Sequence, residues 1–248
     1  MKKRIKLKDR TLPNYTKGEE IFNMVSHIVG GALGIAALVL CIIVAAKHHS
    51  ALAVLSSIAY GVSLIVLYTM SSIYHGLKPG MSKKVMQVLD HCTIYFLIAG
   101  SYTPILLVPM REKYPVIAWV LFGIIWGCAI IACTLTAIDL KKYSLFSMVC
   151  YLTMGWAIII FVKQTYDVMG LGGLIFLITG GVAYSIGSVL YGLGKKKEVD
   201  SLCGPPVYTC RQYIALFRDY HLCAVIRFHS NDDFSLNVLG KLILSENF

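Results

Sequence analysis

Apolar residues fill the chain in long blocks that stop at short clusters of charged, glycine and proline residues and then resume. Six blocks stand out: Ile21 to Ala46, Ala51 to His75, Val85 to Val108, Val116 to Ile138, Ser144 to Val162 and Gly170 to Leu193. A helix needs about 20 mostly apolar residues to cross a bilayer, and each block meets that length closely or exceeds it. The connectors between them are short: Lys47 to Ser50, Gly76 to Lys84, Pro109 to Pro115, Asp139 to Tyr143 and Lys163 to Met169. The pattern predicts an all-α polytopic membrane helical bundle with six transmembrane helices. It divides the chain into a basic leader (1–20), a single transmembrane domain (21–194) and an irregular tail (195–248).

Composition agrees. With 57% hydrophobic residues, 15% charged ones and a mean hydropathy of +0.69, there are too few charges to coat a soluble globule. The first block is too long for a signal peptide, and no small-residue cleavage site ends it, so it is expected to be retained.

A net charge of +10 could suggest nucleic acid, but the basic residues sit beside the spans, where they set orientation. Placing the N-terminus inside puts Lys2, Lys3, Arg4, Lys6, Lys8, Arg10 and Lys17 there, with Lys78, Lys83, Lys84, Lys141, Lys142 and Lys195 to Lys197. Only Lys47, Arg111, Lys113 and Lys163 fall on the other side. The expected location is a bacterial plasma membrane with a cytoplasmic N-terminus. Membrane lipids are the expected partners and nucleic acid is not; oligomeric state is not set by this pattern.

Small residues four apart, Gly30 and Gly34, Gly123 and Gly127, Ala183 and Gly187, allow helices to approach closely. Cys41, Cys92, Cys128, Cys133 and Cys150 lie inside spans without a CxxC or zinc-ribbon spacing, and are read as small buried packers.

The informative residues are ionisable ones within the apolar blocks, each costing about 2.5–3.5 kcal/mol at a helix centre unless partnered. His27, His75, Asp90 and His91 qualify, and the predicted orientation puts His27, His75 and Asp90 at one depth near the cytoplasmic ends of three consecutive spans. Ser71 and His75 share a helical face, and Tyr74 does not. Asp90 and His91 point about 100° apart, so Asp90 is assigned inward and His91 is left open. Interfacial snorkelling or hydrogen bonding between helices is the alternative reading of this set. An imidazole with a nearby carboxylate and hydroxyl suits zinc, although one histidine cannot hold it alone.

The sequence Glu20, Asn23, His27, Gly30, Gly31, then Ser71 to His75, Asp90, His91, and Ala99 to Pro104 resembles the hemolysin III family over residues 19 to 194. That family goes with the progestin and adiponectin receptors and resembles the alkaline ceramidases. The resemblance implies a seven-helix fold with a zinc site near the cytoplasmic side, His75 as a zinc ligand, and Ser71 and Asp90 as the residues bracketing the metal-bound water. Two further histidines would come from an HxxxH on a seventh span.

No such motif follows Lys197, where Pro205, Pro206, Arg211, Arg218, Asp219 and Arg227 interrupt every apolar run. His221 and His229, eight residues apart, are poor substitutes. Lys195 to Glu198 can be encoded by an unbroken run of adenines. A one-base shift beyond it permits Ser201 to Phe217 to be reread as HCVAHLFILAGSILHYF, which contains HxxxH. The expectation is therefore an out-of-frame tail from Glu198 onward, a lost seventh helix and weakened zinc binding.

Three functions are open at this stage. One is zinc-dependent hydrolysis of a membrane lipid amide or ester, impaired in this chain, with Asp90 and Ser71 as catalytic residues. The second is a non-catalytic sensor or regulator of membrane lipid composition. The third is the pore-forming cytolysis that the family name suggests, which the absence of charged, amphipathic spans disfavours.

Overall fold

A computed structural model of the protein describes residues 5–47 and 50–194, with side chains through residue 186. The expected frameshifted tail, His48, His49, His221 and His229 lie outside the described residues.

Every regular element among the described residues is helical, and none is a strand. A 3₁₀ turn (Leu7–Asp9) precedes α1 (Lys17–Lys47), α2 (Ala51–Gly76), α3 (Met81–Ile105), α4 (Arg111–Lys113), α5 (Pro115–Ile138), α6 (Ser144–Trp156) and α7 (Val162–Gly194). Local sequence explains the starts. Thr16 and Glu19 form a reciprocal capping box: the Glu19 carboxylate accepts from the Thr16 N–H (2.7 Å) and the Thr16 hydroxyl accepts from the Glu19 N–H (3.3 Å). The Ser50 hydroxyl caps α2 by accepting from the Ala53 N–H at 3.2 Å. Pro115 opens α5 at the position where a missing N–H is harmless.

Among the described residues, five helical stretches are long and apolar enough to cross a membrane: Lys17–Lys47, Ala51–Gly76, Met81–Lys113, Pro115–Ile138 and Ser144–Ile186. The fifth contains both of the last two predicted spans. As one straight helix its 43 residues would reach about 65 Å, roughly twice a bilayer core. The chain instead breaks at Gly170 (φ 67°, ψ −178°), a conformation that disfavours any residue with a Cβ. The Trp156 indole N–H donates to the Ser185 hydroxyl at 2.8 Å, and the Tyr184 ring lies beside Gly155, so the two arms run side by side.

Two predicted connectors need correction. Lys163 to Met169 is helical, because Lys163, Gln164 and Thr165 are tolerated in a helix and Gly170 alone makes the turn. Most of Pro109 to Pro115 is also helical: α3 runs on through a π-turn, Leu106–Met110, into α4, and the break falls at Tyr114. Pro109 has no N–H to give to an α-helical ladder, and a wider turn lets the chain pass it.

Helix α3 occupies the centre. Its residues Tyr95, Ile98, Ala99, Tyr102 and Ile105 join Leu121, Ile125, Ala129, Met154 and Ile158 in the larger core. On the other side Leu97 meets Cys41, Tyr60, Leu64 and Tyr68 of α1 and α2. Cys41 and Cys92 are buried as expected, but Cys128 is exposed on the outer face of α5.

Candidate functional site

At the end of the bundle nearest the leader, α1 begins, α2 ends and α3 begins. Antiparallel packing sets which turns meet. Glu20 reaches His75 and Gly34 faces Leu64 between α1 and α2; Tyr74 meets Gln87 and Ser63 meets Gly100 between α2 and α3. The second register brings Ser71 level with Asp90.

Both predicted partners of His75 are enclosed: Ser71 is 0% exposed, His75 5% and Asp90 3%. Among the described residues the Ser71 hydroxyl and Asp90 Oδ1 have no hydrogen-bond partner, so they are not bonded to each other. Gln87 Oε1, one turn before Asp90, is in the same condition. Three orphaned acceptors on facing turns of a membrane bundle call for a proton donor, water or a cation, since each would otherwise cost about 1–3 kcal/mol.

His75 is held from the α1 side. Its Nδ1 lies 2.6 Å from Glu20 Oε2, its ring stacks on His27 at 5.9 Å between centroids, and the edge of Tyr15 meets it at 5.6 Å. The equal depth expected for His27 and His75 is thus seen as a ring contact. His27 Nδ1 is bound to the Asn23 carbonyl of its own helix rather than to a neighbour. Tyr74 is buried too, but faces α3, with Gln87 Nε2 3.5 Å from its hydroxyl. His91 donates from Nδ1 to the Gln87 carbonyl at 2.8 Å, and the same nitrogen lies 3.6 Å from Asp90 Oδ2.

Sequence reasoning gave Glu20 no role and counted Lys83 as an orienting charge at the membrane edge. In the structure Lys83 is 3% exposed, with its ammonium donating to Glu20 Oε1 (2.7 Å) and the Leu77 carbonyl (2.9 Å) and lying over the Tyr74 ring. Glu20 therefore bridges His75 and Lys83, joining three helix ends. No local signal marks either residue, because Glu20 follows Glu19 and Lys83 precedes Lys84, and the two partners lie 63 residues apart.

A second polar group sits where the leader crosses. Asp139, which ends α5, is 1% exposed and accepts from the Ile5 N–H (3.0 Å) and the Lys142 N–H (3.1 Å). Burial pushes its carboxyl up, but the N–H groups of Lys142, Ile5 and Lys141 and the charge of Arg10 outweigh this and hold it below its ordinary value. Arg10 is 5% exposed and its pKa is lowered by burial against the opposing pull of Asp139.

For zinc, the fit is partial. His75 offers an imidazole oriented by a carboxylate, a common arrangement at metal sites, and the orphaned Ser71 and Asp90 oxygens stand close in register. Among the described residues, however, no three His, Cys, Asp or Glu side chains group tightly enough to hold a metal ion.

Comparison with known proteins adds the lineage. Hemolysin-3 of Bacillus cereus is 38% identical over 173 residues, spanning 70% of this chain and 78% of that protein. The Hemolysin-3 homolog of Bacillus subtilis is 37% identical over 177 residues, spanning 71% and 82%. The human monocyte to macrophage differentiation factor is 29% identical over 139 residues, spanning 53% and 55%. No solved structure matches the chain. The family model described as Haemolysin-III related matches residues 15–204, a stretch that takes in Glu20, Ser71, His75 and Asp90 together, and the chain belongs to that family.

Proposed function

We propose that this integral membrane protein works on membrane lipid, as a hydrolase of lipid amides or esters whose site is the buried polar cluster between α2 and α3 at the leader end. The observation that carries this reading is the pair of buried oxygens, Ser71 Oγ and Asp90 Oδ1, which find no hydrogen-bond partner among the described residues and stand level with each other beside an oriented imidazole. A stably folded bundle has no structural use for them, whereas a site that takes in water and a carbonyl does.

Zinc, when bound with His75 among its ligands, would supply Lewis-acid polarisation of the carbonyl. The chain's own residues do the rest. Ser71 donates a hydrogen bond toward the reacting group, Asp90 takes up a proton, and Glu20 fixes the His75 ring. The excess of basic residues on the leader side supports placing this site at the cytoplasmic face of a bacterial plasma membrane.

The incomplete set of metal ligands among the described residues favours a second reading, a lipid sensor that binds without turnover. Purified protein in lipid bicelles, assayed for zinc content and for release of fatty acid from a ceramide-like amide, separates the two. Hydrolysis that falls at least about 100-fold in Asp90→Asn and Ser71→Ala supports the enzyme. Lipid binding with no turnover, the same in both variants, rejects it in favour of the sensor. Dye release from liposomes tests the lytic activity named in the Bacillus cereus relative.

A further inference from the structure

The segment before α1 is strongly basic, and in a chain of this kind it would ordinarily be read as a solvated tail that orients the first span. The structure places it elsewhere. Between Ile5 and Tyr15 it crosses the leader end of the bundle, touching three other elements in turn. Ile5 donates its N–H to Asp139 at the end of α5. The Lys8 carbonyl accepts from the Lys84 ammonium in the first turn of α3 at 2.6 Å. Tyr15 sets its ring edge on His75 near the end of α2. Only then does Thr16 cap α1.

Arg10 marks this as more than a surface path. A leader that merely rested on the helix ends would keep so strongly hydrated a group in water. Arg10 is instead 5% exposed, within electrostatic reach of an Asp139 that is itself 1% exposed, and its Nε and Nη1 are buried with no hydrogen-bond partner among the described residues. The pull of Asp139 opposes the cost of burying Arg10, and the N–H groups of Lys142 and Ile5 hold the Asp139 carboxyl below its ordinary value against its own burial. The docked segment is thus anchored electrostatically at one end and covers His75 at the other.

We propose that the leader is a strap closed over the leader end of the bundle, latched at Asp139 and shielding His75 from water. The proposal goes beyond the hydrolase reading and holds whether or not a metal binds. Opening it requires release of the Ile5 N–H from Asp139 and of the Lys8 carbonyl from Lys84. An anionic lipid surface, which attracts clustered Lys and Arg, competes for the leader's cations, Lys6, Lys8 and Arg10.

The test uses the full chain in detergent micelles, comparing the parent with Asp139→Asn and Lys84→Met. Lys84 lies at the helix end, and among the described residues its ammonium bonds the leader at the Lys8 carbonyl, so its loss leaves the bundle core intact if Asp139→Asn proves unstable. Two rates are read: tryptic cleavage at Lys6, Lys8 and Arg10, and diethylpyrocarbonate modification of His75 against His91, both by peptide mass spectrometry. The expected result is about a tenfold rise in leader cleavage and in His75 modification in both variants, with His91 unchanged. Rates equal to the parent's in both variants would overturn the strap. So would His75 and His91 rising together in both, which would report general loosening of the bundle.

Discussion

Gly30 and Gly34 on α1 and Gly123 and Gly127 on α5 have the same spacing in the same kind of helix, yet they do opposite work. A Cβ on Gly30 would lie 2.6 Å from the Tyr68 ring, and one on Gly34 would lie 3.1 Å from Leu64. At Gly123 and Gly127 a Cβ would meet nothing within 4 Å. Gly61 and Gly100 extend the tight pattern across α2 and α3, against Leu38 and Ser63. The half built from α1, α2 and α3 is therefore drawn together closely enough to enclose Ser71, His75, Lys83 and Asp90. The half built from α5, α6 and α7 is looser at its paired glycines, while both halves turn large apolar side chains outward, Ile28 and Leu55 as much as Trp119 and Ile131. Where backbones approach, buried charge can be held in place by partners on other helices; where they do not, the chain uses hydroxyls. Tyr95, Thr136 and Ser147 make such a link at 2.8 and 2.9 Å.

The most severe way to break the comparison is to remove the carboxylate that ties the tight half. Glu20→Ala strands a buried Lys83 and is expected to destabilise the protein by about 3 kcal/mol in mixed-micelle unfolding. Glu20→Gln with Lys83→Met should recover most of that loss, and a single variant that unfolds like the parent would show that the bridge is not structural. The glycines come next. Gly61→Val should cost about 2 kcal/mol through the clash with Leu38, whereas Gly127→Val should stay within about 0.5 kcal/mol of the parent. Equal costs would erase the distinction between the halves. Thr136→Val probes the looser half and should cost about 1 kcal/mol, read by the same unfolding assay, because it leaves the Tyr95 and Ser147 hydroxyls with one partner fewer.

The smallest effect concerns pH at the leader contact. Asp139 has a folded pKa below its unfolded one, so its contribution is present above the unfolded value and is lost as pH falls through the folded value. The groups facing it are Arg10 and the backbone N–H donors of Ile5, Lys141 and Lys142. Leader cleavage by a protease active in acid should rise across that acidic window in the parent and be flat in Asp139→Asn. A flat profile in the parent would show that Asp139 is not what holds the segment.

Much of this architecture can be read from the chain alone. The apolar blocks locate every long helix, and the polar residues inside them, His27, Ser71, His75 and Asp90, are the ones found at the leader end. What escaped has a common cause. Glu20 with Lys83, and Arg10 with Asp139, are charged residues near helix ends, a composition that fits solvated loops equally well. Their burial arises from partners 63 and 129 positions away, which no local pattern encodes. The glycine spacing failed for a related reason, since it permits close approach without saying whether a neighbour takes it up. Gly170 was read as the start of a span rather than as the turn, because a left-handed residue and a helical one are both written as glycine.

Helix α3 has a consequence of another kind. It is the least apolar of the five long stretches and the most thoroughly enclosed by the others. Asp90, Gln87, Lys83 and Thr93 would all face lipid if it stood alone. During synthesis it is therefore a poor candidate to partition into the bilayer by itself. Its entry has to be supported by α1 and α2, already in place and offering Glu20 and Tyr74 to its charged first turns. Order of synthesis and order of assembly then coincide, and a defect in the first two helices would be felt as failed insertion of the third.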